Sequence, residues 1–343
     1  MPPRLAVVGA GLIGRRHAEI IAGASGMVLA AIVDPAAGAE AFAARLDAAW
    51  FGDIDAMLDA GIDGAVIATP NQLHEAGAVA CLARGVPVLV EKPVADGAAA
   101  AARIAAAAGA TPVLVGHHRR HSASLKAARA AIAEGRLGAV TAVTAMSHLL
   151  KPDAYFDVAW RRRPGGGPIL INLIHVVDDL RYLCGEIVAV QAMAASAQRG
   201  LAVEDTAAVT LRFANGALGT LGVSDAAAGP WSWELTSGEN PFYPRQEGDC
   251  YLVAGREGAL AVPSLDLWRY DGPPHWGTPM SRTRLPAPPA DPLVQQMLHF
   301  GDVIRGRAAP LVSVADAARS LAVLEAIAEA ARTGGIVQCD SGD

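Results

Sequence analysis

Three glycines near the start of the chain have the spacing of a phosphate-binding turn. Gly9, Gly11 and Gly14 follow an apolar run at residues 5–8 and precede a helical segment. In such a strand, turn and helix, the first glycine makes the turn, the second lets the backbone approach a pyrophosphate, and the third packs the helix on the strand. The helix N-terminus adds amide donors, so the pattern predicts a dinucleotide site. Its predicted turn residues are Gly9, Gly11, Leu12, Ile13 and Gly14.

A carboxylate follows 20 residues after the last of these glycines, at Asp34. At the end of a second apolar strand, an aspartate accepts hydrogen bonds from the adenosine ribose hydroxyls. Because it repels a 2′-phosphate, the sequence favours NAD over NADP, although Arg15 and Arg16 could offset the repulsion. The alternative is a plain turn in which Asp34 caps the loop into Pro35.

A lysine lies at the carboxyl end of another predicted strand. Lys92 follows the apolar run 86–90 and stands between Glu91 and Pro93. A lysine in a partly desolvated crevice beside a nicotinamide can donate a hydrogen bond to a substrate oxygen or transfer its proton. The alternative is a surface lysine paired with Glu91.

A predicted helix at residues 169–184 carries polar groups on one face. Asn172 and His175, three residues apart, can address one small ligand, and Asp179 lies one turn further on, where it can orient the imidazole. Histidine is the expected general base for removing a hydroxyl proton, since its imidazole titrates near neutral pH. The alternative is a face that is merely solvated.

Alternating strands and helices position the groups of the first third. Strands are predicted at 5–8, 28–33, 65–68, 86–90 and 113–115, and helices at 12–24, 38–47, 53–60, 72–84 and 96–109. This alternation predicts an α/β fold with a doubly wound parallel sheet, in which ligands bind at the carboxyl ends of the strands. The cofactor-binding residues predicted in those loops are Asp34, Thr69, Pro70, Asn71, His74, Glu91 and Lys92.

After residue 120 the pattern changes to that of an α+β domain. A helix at 122–134 precedes strands at 139–148, 186–195, 205–213, 217–225, 250–254, 258–262 and 265–270. Turn signals such as Asn215-Gly216 predict a largely antiparallel open sheet. A proline-rich loop at 271–292 and helices at 292–305 and 314–332 follow. The predicted domains are 1–120 and 121–335, with a tail at 336–343.

The composition excludes several function classes. A net charge of −6 argues against nucleic-acid binding, and the longest apolar runs are mostly alanine, too weak for a membrane span. The four cysteines are scattered, so we expect no zinc site or disulfide framework and a cytoplasmic location.

Two basic segments supply further candidates. Residues 117–121 hold three histidines and two arginines, which either bind an acidic substrate or the cofactor phosphates or form a solvated linker. No metal site is predicted there, because no matching carboxylate or cysteine pattern occurs. In the arginine cluster 161–163 the best candidate is Arg161. The predicted substrate-binding residues are Asn172, Arg120, Trp160, Arg161 and Asp179.

Together these motifs resemble the Gfo/Idh/MocA family (glucose–fructose oxidoreductase and inositol dehydrogenase). They are Gly9 to Gly14 with His17, Ala68-Thr69-Pro70-Asn71 with His74, Glu91-Lys92-Pro93, Trp160-Arg161 ahead of Gly165-Gly166-Gly167, and His175 with Asp178. The resemblance implies a Rossmann domain, and a second domain whose sheet forms a homodimer or homotetramer. It also implies NAD(P)-dependent oxidation of a secondary hydroxyl on a sugar, polyol or related ring, or the reverse reduction, with Lys92 and His175 catalytic. The expected partner is a sugar-like or cyclic hydroxy-acid substrate.

One position departs from the family pattern. Many members carry an aspartate four residues before the histidine, where this chain has Ile171. The neighbouring Asn172 can contact a substrate hydroxyl as a neutral amide. Two alternative functions remain: a redox-neutral NAD-dependent lyase, epimerase or glycosidase, and a non-catalytic dinucleotide-binding sensor.

Overall fold

The computed structural model describes residues 1–339, which divide into two compact units. The first unit is Met1–His121 with Pro292–Leu321, and the second is Ser122–Asp291 with the chain from Ala322 onward. The sequence places residues 292–321 in the second domain, whereas in the structure Met297, Phe300 and Val312 complete the core of the first unit. An amphipathic helix suits either core, so its pattern could not distinguish the two.

Six parallel strands form the sheet of the first unit. They are β1 (Arg4–Val8), β2 (Val28–Val33), β3 (Ala49–Phe51), β4 (Gly64–Ile67), β5 (Val88–Glu91) and β6 (Val113–Gly116). Their order is β3-β2-β1-β4-β5-β6. Alternate residues of β1 enter two separate apolar clusters, as expected for a sheet covered on both faces. The predicted doubly wound sheet is confirmed; the sequence missed only β3, a three-residue edge strand with little burial.

Helices lie in both units. In chain order they are α1 (Leu12–Gly23), α2 (Ala39–Arg45), α3 (Ile54–Asp59), α4 (His74–Ala83), α5 (Ala98–Ala108), α6 (Ala123–Ala133), α7 (Pro168–Ile171), α8 (Leu173–Cys184), α9 (Trp233–Thr236), α10 (Pro292–Ile304) and α11 (Val314–Thr333). Within residues 1–339, each helix is too short or too polar to cross a lipid bilayer.

The second unit contains a nine-stranded sheet. Its strands are β7 (Val140–His148), β8 (Ile187–Ala195), β9 (Thr206–Phe213), β10 (Leu218–Ser224), β11 (Tyr251–Gly255), β12 (Gly258–Val262), β13 (Asp266–Tyr270), β14 (Met280–Arg284) and β15 (Val337–Gln338). The order is β14-β13-β12-β11-β7-β10-β9-β8-β15, and within the described part of this sheet only the β7–β10 pair is parallel. The predicted, largely antiparallel sheet is confirmed.

Two strands of this sheet lie where none is predicted. β14 falls inside the predicted loop 271–292, and its five residues are all exposed, so they lack an apolar alternation. β15 falls inside the predicted tail and pairs with β8. The end of that tail, residues 340–343, lies outside the described residues. β9, by contrast, alternates strictly between exposed and buried positions, which made it readable from sequence.

Candidate active site

The three glycines of the first turn meet different surroundings. Gly9 has a φ of +98°, and a Cβ on it would lie 2.7 Å from the backbone of Ala68. A Cβ on Gly14 would lie 1.8 Å from the carbonyl oxygen of Gly9. At Gly11 an added Cβ would meet nothing within 4 Å. Packing therefore requires two of the glycines, while the third leaves open space above the turn.

The open space at Gly11 adjoins the N-terminus of α1. Gly11 is the N-cap of α1, and no side chain caps the helix, so the first-turn amides are not used by a cap. Leu12 stands 95% exposed beside them. The Thr69 hydroxyl, in the loop after β4, is buried and has no hydrogen-bond partner among the described residues. An open cradle lined by unused donors fits the pyrophosphate of a dinucleotide.

Asp34 braces the glycine turn. Its Oδ2 accepts a hydrogen bond from the Ala10 N–H at 2.6 Å, and its Oδ1 accepts one from the Ala36 N–H at 2.8 Å. A carboxylate has further acceptor sites, so both oxygens can still receive ribose hydroxyls. The loop-capping contact of the alternative is therefore present, and the contact of Asp34 with a ribose stays a prediction. Arg15 donates from Nε to the Ala10 carbonyl at 2.9 Å and stacks on Phe42.

Glu91 is paired inside the first unit. His17, fully buried on α1, donates from Nε2 to Glu91 Oε1 at 2.7 Å, and the Lys92 N–H donates to Oε2 at 3.2 Å. Burial works to raise the pKa of Glu91, but His17, with the Lys92 and His118 charges, outweighs it and lowers the pKa to about 2. The carboxylate predicted to bind cofactor therefore also positions the backbone of Lys92.

His74 joins two loops of the same sheet edge. Its Nδ1 lies 2.9 Å from the carbonyl oxygen of Pro93, and its Nε2 lies 2.9 Å from that of Thr69. Burial lowers the pKa of His74, although both carbonyls favour the charged ring. The ring is 1% exposed and holds the Thr69 loop against the Lys92–Pro93 segment. Lys92 itself is half-buried, and Asn71 begins a short 3₁₀ helix, with Pro70 before it.

In the second unit the predicted helix at 169–184 is interrupted. It consists of α7 and α8, with Asn172 between them, and the His175 N–H donates to the Asn172 carbonyl at 3.3 Å. His175, Asp178 and Asp179 are 8%, 1% and 0% exposed. The alternative of a solvated polar face is therefore wrong, because this face is buried.

Asp179 belongs to a buried network. Its Oδ2 accepts a hydrogen bond from the Tyr251 hydroxyl at 2.7 Å, and the Tyr251 ring stacks on Trp233. The Trp233 indole N–H donates to Glu239 at 2.9 Å, and the Ser122 hydroxyl donates to the same carboxylate. This network ties α8 to β11, which gives Asp179 a packing role beside its predicted contact with substrate.

A buried lysine that the sequence analysis did not single out lies after β7. Lys151 is 8% exposed; its Nζ donates to Asn172 Oδ1 at 2.9 Å and lies 3.3 Å from Asp225 Oδ2. Burial lowers its pKa, which the Asp225 carboxylate opposes. The rarity of lysine is a signal that could have found it. Of the 28 lysines and arginines only three are lysine: Lys92, Lys151 and the exposed Lys126.

The remaining candidates lie in separate places. The Arg161 guanidinium sits 3.9 Å from the centre of the Tyr155 ring, and its buried Nε has no hydrogen-bond partner within residues 1–339. Trp160 is 53% exposed. Arg120 is buried and lies 3.2 Å from Asp316, so the solvated-linker alternative for 117–121 is wrong. In the described part of the chain no group of three acidic, histidine or cysteine residues could hold a metal ion.

Two family models match separate parts of the chain. Residues 3–118 match the model “Oxidoreductase family, NAD-binding Rossmann fold”, and residues 125–261 match “GFO/IDH/MocA C-terminal domain”. The 1,5-anhydro-D-fructose reductase of Ensifer adhaerens is 28% identical over 83% of this chain and 82% of its own. Inositol 2-dehydrogenase 2 of Saccharopolyspora erythraea is 32% identical, over 64% of this chain and 65% of its own.

A solved structure has the same fold along its whole length. The WlbA dehydrogenase from Bordetella pertussis, in complex with NADH and UDP-GlcNAcA, is 27% identical and superimposes with a TM-score of 0.79. The match covers 99% of each chain. With its glycine turn, its open cradle and both domain matches, the chain belongs to the GFO/IDH/MocA family of NAD-binding oxidoreductases.

Proposed function

We propose that this protein is an NAD-dependent dehydrogenase that oxidises a secondary hydroxyl of a sugar-like or cyclic hydroxy-acid substrate. The observation that carries the proposal is the open cradle at Gly11, at the uncapped N-terminus of α1; the half-buried Lys92, whose backbone Glu91 holds, follows β5 of the same sheet. The reductase and dehydrogenase relatives act on compounds of the sugar and polyol class, which supports the substrate type.

Oxidation of the hydroxyl requires the removal of one proton and one hydride. Bound NAD supplies the hydride acceptor. The His175 imidazole accepts the proton of the substrate hydroxyl, and the Lys92 ammonium donates a hydrogen bond to the same oxygen as it becomes a carbonyl. The His17–Glu91 pair holds the backbone at Lys92, so the amine is presented from a fixed turn. In the reverse direction the same groups return the proton to the oxygen.

Removal of either catalytic group tests this assignment. Lys92→Ala and His175→Ala should each lower kcat at least about 100-fold, because general acid–base groups contribute factors of this size. In His175→Ala the dissociation constant for NAD should stay within threefold of wild type, and substitution of the exposed Lys126 by alanine serves as control. Turnover is followed as NADH absorbance at 340 nm. Near wild-type kcat in one variant removes that residue from the mechanism, and product without NADH favours a redox-neutral reaction.

We also propose a cytoplasmic homo-oligomer, dimer or tetramer, which associates through the open face of the nine-stranded sheet. On that face the apolar side chains of Met193 and Leu218 are 79% and 58% exposed to water. Association of two copies through this face would bury them. The four cysteines are free thiols, which suits a reducing compartment. Light scattering after gel filtration measures the assembly, and Leu218→Asp should shift it toward the monomer.

A further inference from the structure

The ammonium of Lys151 fixes the direction of the Asn172 side-chain amide. An ammonium group has only donors, so the atom of Asn172 that lies 2.9 Å from it must be the amide oxygen. The amide nitrogen then points away from Lys151. It has no hydrogen-bond partner among the described residues, and Asn172 is half-buried. Asn172 therefore offers two N–H donors to a ligand.

Lys151 is itself held in place. Asp225, 1% exposed, pairs with its ammonium, and Arg199 donates from Nε to the other Asp225 oxygen at 3.3 Å. Arg199 also donates to the Lys151 carbonyl at 2.8 Å. The Asn172 amide is consequently held by Lys151, which Asp225 and Arg199 hold in turn, and it cannot reverse without placing a donor against the ammonium.

The charged group that contacts Asn172 is a cation, the ammonium of Lys151. Lys151 is buried, the Arg199 side chain is 10% exposed, and the buried carboxylate of Asp225 pairs with both cations. The other carboxylate on Arg199, Asp153, is fully exposed, and the half-buried Glu234 adds a weaker attraction on Lys151. A family aspartate near this place would be a negatively charged acceptor. Here the position offers neutral N–H donors beside the Lys151 ammonium.

We propose that Asn172, positioned by Lys151, makes the protein select a hydroxy acid: a substrate whose carboxylate accepts hydrogen bonds from the Asn172 amide while a neighbouring hydroxyl is oxidised. This inference rests on the proposed function, because it assigns the substrate class of the same site. A hydrogen bond to a charged group contributes a factor of about 10 to 100 in affinity, more than one to a neutral hydroxyl.

Matched substrate pairs test the selectivity. We would measure kcat/KM for glucuronate against glucose, galacturonate against galactose, and gluconate against glucitol, and binding of each to the NADH-loaded protein by calorimetry. At least one acid should exceed its neutral partner tenfold or more. Oxidation of the neutral members alone overturns the inference and leaves the dehydrogenase intact, as does failure of every acid to bind. Acids that bind but yield no NADH support the inference and contradict the dehydrogenase.

Two variants test the residues. Asn172→Asp keeps the size and the contact with Lys151 but removes the donors, so KM for the preferred acid should rise about 100-fold, at least tenfold more than KM for its neutral partner. Lys151→Met should raise the same KM about tenfold with little change in kcat, and Lys151→Arg should restore part of it. Lys126→Met is the control for a lost lysine. Equal losses for acid and neutral substrates in Asn172→Asp would assign the residue a structural role and overturn the proposal.

Discussion

The sharpest prediction compares two alanine substitutions in the glycine turn. At Gly11 an added Cβ meets no protein atom within 4 Å, and the residue has an extended φ of −71° that alanine adopts without strain. Alanine caps a helix less well than glycine but restricts the unfolded chain, effects that oppose each other at about 0.4–1 kcal/mol each. The melting temperature without cofactor should therefore move by less than about 4 °C.

At Gly14 the same methyl group meets the protein itself. Its Cβ would lie 1.8 Å from the Gly9 carbonyl oxygen and 3.0 Å from the Gly9 carbonyl carbon, which are backbone atoms that cannot rotate away. Moving the turn costs about 3 kcal/mol or more, at the upper end of overpacking. At about 2–4 °C per kcal/mol, Gly14→Ala should melt at least about 6 °C below wild type.

Cofactor affinity separates the two substitutions further. In Gly11→Ala the methyl group occupies the open space assigned to the pyrophosphate, so the dissociation constant for NADH should rise about 10- to 100-fold in an otherwise intact protein. Circular dichroism gives the melting temperature and NADH fluorescence the affinity, with Gly23→Ala, at the open far end of α1, as control. Wild-type affinity in Gly11→Ala, or melting as low as that of Gly14→Ala, would refute the cradle.

Three further outcomes follow from buried polar groups. The pKa of Glu91 is lowered to about 2, so its stabilisation is complete above its ordinary pKa of 4.5 and is lost as the pH falls from 4.5 toward 2. In Glu91→Gln the free energy of unfolding, measured in urea, should therefore fall less between pH 4.5 and pH 2 than in wild type, by up to about 3 kcal/mol. The same pH dependence in both proteins would contradict the pairing. Tyr251→Phe leaves a buried oxygen of Asp179 without its donor and should cost about 1–3 kcal/mol in the same assay, while the NAD affinity stays at the wild-type value. Burial raises the pKa of Cys81 and Cys184 to about 12, so a disulfide reagent at pH 8 should label neither in the native protein and both in denaturant; rapid native labelling would show them to be accessible.

The strands and helices that obey a clear periodicity could be predicted from the sequence. β9 alternates at every residue, and α1 follows its glycine turn directly, so both were placed within a residue or two. β14 was missed because all its side chains are exposed, which leaves no alternation to detect. The break at Asn172 was missed because the residues around it keep a helical spacing across two short segments.

Within the site, residue types were easier to predict than partners. Glu91 was recognised beside Lys92, but its pairing with His17 joins residues 74 positions apart in the chain. Asn172 was recognised as a ligand group, but the direction of its amide depends on Lys151, in an irregular segment 21 residues earlier. Contacts of this kind are set by tertiary packing, for which a single sequence carries no local pattern.

The return of residues 292–321 to the first unit has a consequence for biogenesis. Residues 1–121 leave the ribosome long before Phe300 and Val312 are synthesised. Until then the first unit cannot complete its core, and part of its apolar surface stays exposed to water. An expression fragment that stops at residue 121 or 291 should therefore aggregate or bind NAD poorly. A fragment in which a short linker joins residue 121 to residue 292 and the chain ends at 321 has every segment needed to fold alone.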